Sequence, residues 1–135
     1  MAFGDGDASY QAAGGEKGIR QLVVEFYHQM SILPEAKKIR DMHPSDLDES
    51  IDKLTRFLSG WLGGPALYAE KYGSIRIPQA HAHLSVGEEE RDAWLLCMQY
   101  ALAKQAYSED FKAYMLRELY VPAERIRVVS AQSKL

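Results

Sequence analysis

Two stretches limit what this chain can fold into. Residues 57–65 read Phe-Leu-Ser-Gly-Trp-Leu-Gly-Gly-Pro, an apolar helical run stopped by two glycines and a proline. Residues 81–95 read His-Ala-His-Leu-Ser-Val-Gly-Glu-Glu-Glu-Arg-Asp-Ala-Trp-Leu, which sets a histidine just ahead of a helix with a tryptophan near its start. Around them apolar residues recur at helical spacing, and no run alternates with the period of a strand. Ile19, Leu22, Val23, Phe26, Tyr27 and Met30 follow the i, i+3, i+4, i+7 pattern from Gly15 onward. The all-α class follows, with about four main helices and several short ones.

The punctuation gives the boundaries. Gly14-Gly15 separates a short helix near residues 9–13 from the long one. Pro34 suits the first position of a short helix through Ile39, and Pro44 breaks the chain. Ser45-Asp46-Leu47-Asp48 reads as a capping box ahead of the stripe Leu47, Ile51, Leu54, Phe57, Leu58 and Trp61. Pro65 restarts a short turn through Tyr72, and residues 73–80 read as an ordered loop because Pro78 forbids a helix interior. Ser85-Val86-Gly87-Glu88 reads as a second capping box, followed by Trp94, Leu95, Met98, Ala101 and Leu102 facing inward. A last helix begins near Ser108, with Phe111, Met115 and Leu119 inward and a kink at Pro122. Residues 9–132 form one domain, flanked by a loose extension at 1–8 and a tail at 133–135.

Composition excludes several classes. A chain of 135 residues, 47% apolar and 26% charged, is long enough to bury a core. Its net charge of -3 leaves no basic stripe, so nucleic acid is not an expected partner. A single cysteine, Cys97, permits no internal disulfide and fits a reducing cytoplasm. The first seven residues lack the basic region and apolar run of a secretory signal. No stretch approaches the ~20 apolar residues of a membrane span.

Chemistry narrows to the histidines. His81 and His83 form a His-x-His pair, but residues two apart on a helix point roughly 200° apart and share no metal. The spacings of a zinc site with cysteine or acid are absent. One imidazole beside an apolar slot is a different arrangement: a flat cofactor with a single metal needs one nitrogen ligand and burial between helices. Leu54, Phe57, Leu58, Ile77, Leu84, Val86, Trp94 and Met98 would line such a slot, although the same stripe also serves as plain core. Cys97, inside an apolar helix, reads as an inert buried thiol. The acids Glu88, Glu89 and Glu90 read as a solvated first turn favoured by the helix dipole.

Taken in order, Gly14-Gly15, Phe26-Tyr27, Trp61-Leu62-Gly63-Gly64-Pro65, His81 and Arg91-Asp92-Ala93-Trp94-Leu95 resemble the second group of truncated haemoglobins, from about Tyr10 to the last helix. The resemblance implies a shortened globin, two helix pairs crossed as a two-on-two sandwich around haem b. It implies His81, thirteen residues before Trp94, as the iron ligand. Tyr27 and Trp94 match the distal donors, His43 the mouth of the distal pocket, and Ser50 the gate one turn before Leu54. Lys53 is placed to reach a haem propionate. Relatives carry several arginines before the histidine; here Arg76 is the one left, so pairing on that side rests on it. Leu84 stands where the family often has Phe.

The function so implied is reversible binding of oxygen, carbon monoxide and nitric oxide, with high oxygen affinity and slow release, for storage or transport. Two alternatives stay open. One is redox chemistry on the bound gas, nitric oxide dioxygenase or peroxidase-like, which needs a separate reductase. The other is a haem-free helical interaction module. A cytoplasmic monomer or homodimer is expected.

Overall fold

A computed structural model of the chain describes residues 2–73 and 86–133, the side chains of 131–133 excepted. The described residues form seven α-helices, with no strand among them. They are α1 (Ala8–Ala12), α2 (Gly15–Ile32), α3 (Lys37–Asp41), α4 (Asp48–Trp61), α5 (Leu67–Tyr72), α6 (Glu88–Ala103) and α7 (Glu109–Ser133). A 3-10 turn, Pro34–Ala36, leads into α3, so the helix expected to open at Pro34 begins as the tighter form.

Helix α2 packs against both α4 and α6, and α6 packs against α7. Two helix pairs, α2 with α4 and α6 with α7, are thus laid one on the other. Their shared core is the set of inward positions read from the spacing: Ile19, Leu22, Val23, Phe26 and Met30 from α2, Leu58 from α4, Met98, Ala101 and Leu102 from α6, and Phe111, Met115 and Leu119 from α7. Each is sealed from solvent, and a fully buried side chain of this size contributes roughly 1.5–3 kcal/mol.

Two boundaries differ from the sequence reading. Helix α4 starts at Asp48, and Ser45 caps nothing; Asp46 Oδ1 accepts the Asp48 N–H at 2.9 Å. Helix α6 starts at Glu88 with Gly87 as its cap, and the reaching acid is Glu90, whose carboxylate accepts the Gly87 N–H at 2.9 Å. Both boxes were read two residues early, with Ser45 and Ser85 taken for the capping positions that Leu47 and Gly87 hold. Pro122 lies inside α7, which runs on past it through Ile126 and Val129 as the spacing implies. Residues 73–80, read as an ordered loop, fall outside the described residues beyond Gly73.

The extension expected to hang loose lies against the body. Phe3 meets the rings of Phe111 and Tyr114 at 5.2 and 5.1 Å. The Gly4 N–H donates to Ser9 Oγ at 2.9 Å, and that hydroxyl donates to Tyr114 Oη at 3.2 Å. The Gly63-Gly64 stop makes room for this segment. A Cβ on Gly63, which sits at φ +91°, would fall 2.1 Å from the Gly6 carbonyl, and one on Gly64 would strike the Tyr10 ring at 2.3 Å.

Candidate functional site

The apolar stripe of α2 forces Phe26 and Tyr27 inward together, and the site is built on that pair. Phe26 is fully buried. Its ring stands 5.0 Å from Tyr27, near perpendicular, and 5.0 Å from Trp94 of α6. Tyr27 is 6% exposed, and its phenol makes no hydrogen bond among the described residues. Burial pushes its acidity far out of the usual range, so the hydroxyl keeps its proton and stays a donor. Trp94 is half-buried, and its indole N–H makes no hydrogen bond among the described residues.

His43 closes the cluster from the turn after α3. Its Nδ1 lies 2.8 Å from the Ile39 carbonyl, and its ring meets Tyr27 edge-on at 5.6 Å. A carbonyl only accepts, so Nδ1 carries the hydrogen, and a neutral ring then keeps Nε2 as its acceptor nitrogen. Arg40 grips the same turn, donating to the carbonyls of Pro44 at 3.0 Å and Ser45 at 3.2 Å.

The wall opposite comes from α4. Ser50, Leu54 and Phe57 are half-buried, as is Trp61 one turn beyond Phe57, while Leu58 is sealed in the core. Met98 is likewise sealed, behind Trp94 on α6. Val86 is half-buried, and its N–H donates to Ser130 Oγ at 3.1 Å. The Lys53 ammonium meets Glu49 at 2.9 Å and lies 5.4 Å over the Tyr72 ring. His81, the expected iron ligand, and Arg76, Ile77 and Leu84 lie outside the described residues, as does His83. The structure therefore brings Tyr27, His43 and Trp94 together and sets Leu54 and Phe57 on the facing helix.

These residues suit a flat apolar group that carries a gas ligand. Leu54, Phe57, Trp61, Trp94 and Leu95 pack on the core yet keep part of their surface uncovered. Two donors, one on a nearly sealed tyrosine, go unsatisfied among the described residues. Among the described residues the one sealed side-chain polar atom without a partner is Thr55 Oγ1, so the Tyr27 hydroxyl, at the end of a nearly sealed ring, still reaches accessible space. There it and the Trp94 indole can both donate to an acceptor.

Sequence reasoning missed two polar networks that hold this frame. Glu90 is 8% exposed rather than solvated, and besides the Gly87 N–H it takes the Lys38 ammonium of α3 at 3.1 Å. The Gly87–Glu90 spacing was visible; the partner 52 residues away was not. Asp52 on α4 accepts from Tyr72 Oη at 2.6 Å, Lys71 Nζ at 2.9 Å and Arg56 Nε at 3.0 Å. Only the Arg56 pair, at i+4, could be read from the sequence.

Comparison with known proteins places these features in context. Residues 8–124 match the model of the family described as bacterial-like globin. A group 2 truncated haemoglobin of Bacillus subtilis is 33% identical over 120 residues, which span 89% of this chain and 88% of that protein. The structure of the group II two-on-two haemoglobin from Agrobacterium tumefaciens is 32% identical with a TM-score of 0.83, covering 94% of this chain and 95% of that one. The structure of the truncated oxygen-avid haemoglobin of Bacillus subtilis is 34% identical with a TM-score of 0.79, covering 88% of this chain and 98% of that one.

Proposed function

The chain belongs to the bacterial-like globins and, within them, to the group II truncated haemoglobins; on that premise we propose that it is a haem b protein that binds oxygen reversibly, tightly and with slow release. The family implies haem and a gaseous ligand such as oxygen. When bound, haem supplies the iron to which a diatomic gas attaches. In this reading His81 holds the iron, Leu54, Phe57, Ile77, Leu84, Val86 and Trp94 enclose the ring, and Leu58 and Met98, sealed in the core, back that wall. Lys53 and Arg76 would serve its carboxylates, Lys53 by leaving Glu49.

The observation that carries the proposal is a pair of donors that make no hydrogen bond among the described residues, the Tyr27 hydroxyl and the Trp94 indole, on rings that both meet Phe26. An indole N–H only donates. The Tyr27 phenol, whose proton burial retains, can donate as well. His43, fixed by Ile39, holds its ring edge-on against Tyr27, and Ser50 adds a hydroxyl from α4. Hydrogen bonds to a charged or strongly polarised partner contribute roughly 1.5–3 kcal/mol each. Two of them slow oxygen release by about two to four decades, at ~1.4 kcal/mol per tenfold. Carbon monoxide, a weaker acceptor, gains less. The printed description of the Bacillus subtilis structure as oxygen-avid supports the same behaviour here.

Slow release suits oxygen storage, or chemistry on the held gas with an external reductase, better than rapid delivery. Among the described residues no helix is long and apolar enough to cross a membrane. We place the protein in the cytoplasm as a monomer or homodimer, with carbon monoxide and nitric oxide as further ligands.

The test is direct. Expressed with a haem supply, the chain should be red with an intense Soret band, and His81→Ala should lose most of the haem. Trp94→Phe should hasten oxygen release at least tenfold in stopped flow, with a smaller change for carbon monoxide. A colourless protein would favour the haem-free module, and an unaltered release rate would remove Trp94 from the donor role. Rapid stoichiometric nitrate on mixing the oxygenated protein with nitric oxide would favour the dioxygenase.

A further inference from the structure

The two distal donors come from separate helices, Tyr27 from α2 and Trp94 from α6, and the ring that abuts Tyr27, His43, sits on the turn after α3. The ion pair between Lys38 and Glu90 joins α3 to α6 at 3.1 Å. Lys38 is the second residue of α3, and Ile39, next in sequence, is buried in the core and supplies the carbonyl that fixes His43. Arg40 binds the carbonyls of Pro44 and Ser45, so α3 and its following turn move as one piece. Glu90 in turn lies one helical turn before Trp94 and on the same face of α6. Its carboxylate oxygen is shared between the Gly87 N–H, which fixes where α6 begins, and the Lys38 ammonium. The glutamate side chain is 10% exposed, while the lysine is 62% exposed. Glu90 is thus anchored in the frame, and Lys38 reaches down to it from the surface.

We infer that Glu90, through Lys38, is a positioning residue that fixes the separation between Trp94 and the His43–Tyr27 side of the site, and so sets how strongly this site discriminates oxygen from carbon monoxide. The inference rests on the gas-binding reading proposed above. Its physical basis is the steep dependence of hydrogen bonds on distance and angle. A displacement of α3 relative to α6 leaves room for either gas, yet it spoils donor geometry that matters only to the better acceptor.

Lys38→Met is the informative variant, because the change is at the surface and leaves the Gly87 cap intact. Two measurements are made on the full chain expressed with haem. In hydrogen exchange read by mass spectrometry, peptides covering residues 37–43 and the first turn of α6 should exchange several-fold faster in the variant, with α4 and α5 unchanged. In stopped flow, oxygen release should quicken about threefold to tenfold while carbon monoxide release stays within twofold. Lys38→Arg, which keeps the charge, should restore both. Glu90→Gln, which retains an acceptor for Gly87 but not the charge, should reproduce the methionine variant. Unchanged exchange in Lys38→Met overturns the tether. Faster exchange with an unchanged ratio of the two release rates reduces the pair to ordinary structural support and overturns the positioning role. A chain that takes up no haem sinks the gas-binding reading, while the exchange data still decide whether Lys38 and Glu90 tie the two segments together.

Discussion

Tyr27 shows what a single side chain gives up to serve a site. Its ring is buried, while its hydroxyl makes no hydrogen bond among the described residues and so adds nothing to the packing that a phenylalanine would not. Tyr27→Phe keeps the ring that packs on Phe26 and removes only the unsatisfied oxygen. We expect its thermal midpoint to equal or exceed that of the parent in a circular dichroism melt, while oxygen release quickens roughly tenfold or more. A variant less stable by over 1 kcal/mol would mean that the hydroxyl has a structural partner. Because burial raises the Tyr27 pKa, its donor role should persist without a break well into the alkaline range. Cys97 is the contrasting residue. It is fully buried, and burial pushes its thiol up to about 11, so it is neither exposed nor ionised at neutral pH. A thiol reagent should label it only as fast as the protein opens, with full reaction in denaturant; rapid labelling of the native protein would contradict this. Both residues could be read from the sequence, Tyr27 through its place beside Phe26 on an inward stripe and Cys97 through its apolar neighbours. Lys53 could not be placed the same way. Its helical position was clear, but the competition between Glu49 four residues back and a more distant anion is a matter of geometry that spacing leaves open.

Among the elements, α5 is the one whose placement depends most on a polar group. It buries no residue fully, and Asp52 of α4 holds it through Tyr72 and Lys71. Tyr72 Oη, then the Lys71 ammonium and Arg56, keep the Asp52 carboxyl well below the usual carboxylate range. A carboxyl whose acidity is strengthened by folding adds stability above its unfolded value, near 3.9, and loses that contribution as pH falls through the folded value. Asp52→Asn should therefore lower the thermal midpoint at pH 7 by about 3–5 °C, corresponding to about 1 kcal/mol. The gap between the two proteins should close in melts carried toward pH 2. A gap that widened in acid would reverse the sign and dismiss the network as a source of stability. Helix content and the identity of the main helices were legible because period and punctuation are local properties. The tie between α5 and α4 and that between α3 and α6 were not, because each joins a charge to a partner far along the chain. Asp52 read only as half of a pair with Arg56, and Glu90 read as one more acid in a first turn, since nothing local distinguishes a solvated carboxylate from one that a distant lysine will cover.

At the scale of the molecule, the two helix pairs leave the outer end of α7 to be covered by something other than a helix, and the amino-terminal segment does so. Phe3 packs on Phe111 and Tyr114, Phe111 also contacts Tyr107, and the Tyr107 hydroxyl donates to the Ala13 carbonyl at 2.8 Å. The segment, α1 and α7 are in this way closed into one aromatic cluster. Sequence gave no sign of it. Gly4-Asp5-Gly6-Asp7 has the composition of a linker, and a lone phenylalanine establishes no period. The glycines are instead what lets the chain bend back: Gly4 and Gly6 both adopt positive φ, and the Gly6 carbonyl nestles where Gly63 has no side chain. Phe3 is half-buried, so truncating it should cost less than the 3–5 kcal/mol of a sealed phenylalanine, about 1–2 kcal/mol. Phe3→Ala should accordingly melt roughly 3–8 °C below the parent, and Phe3→Leu should recover part of the loss. Because none of the ring contacts of Phe3 involves Phe26, Tyr27, His43 or Trp94, gas release rates should stay within twofold in both variants. An alanine variant with an unshifted midpoint would show that the segment merely rests on the surface, whereas a shifted release rate at constant stability would show that the cluster reaches the distal donors through α7 and α6.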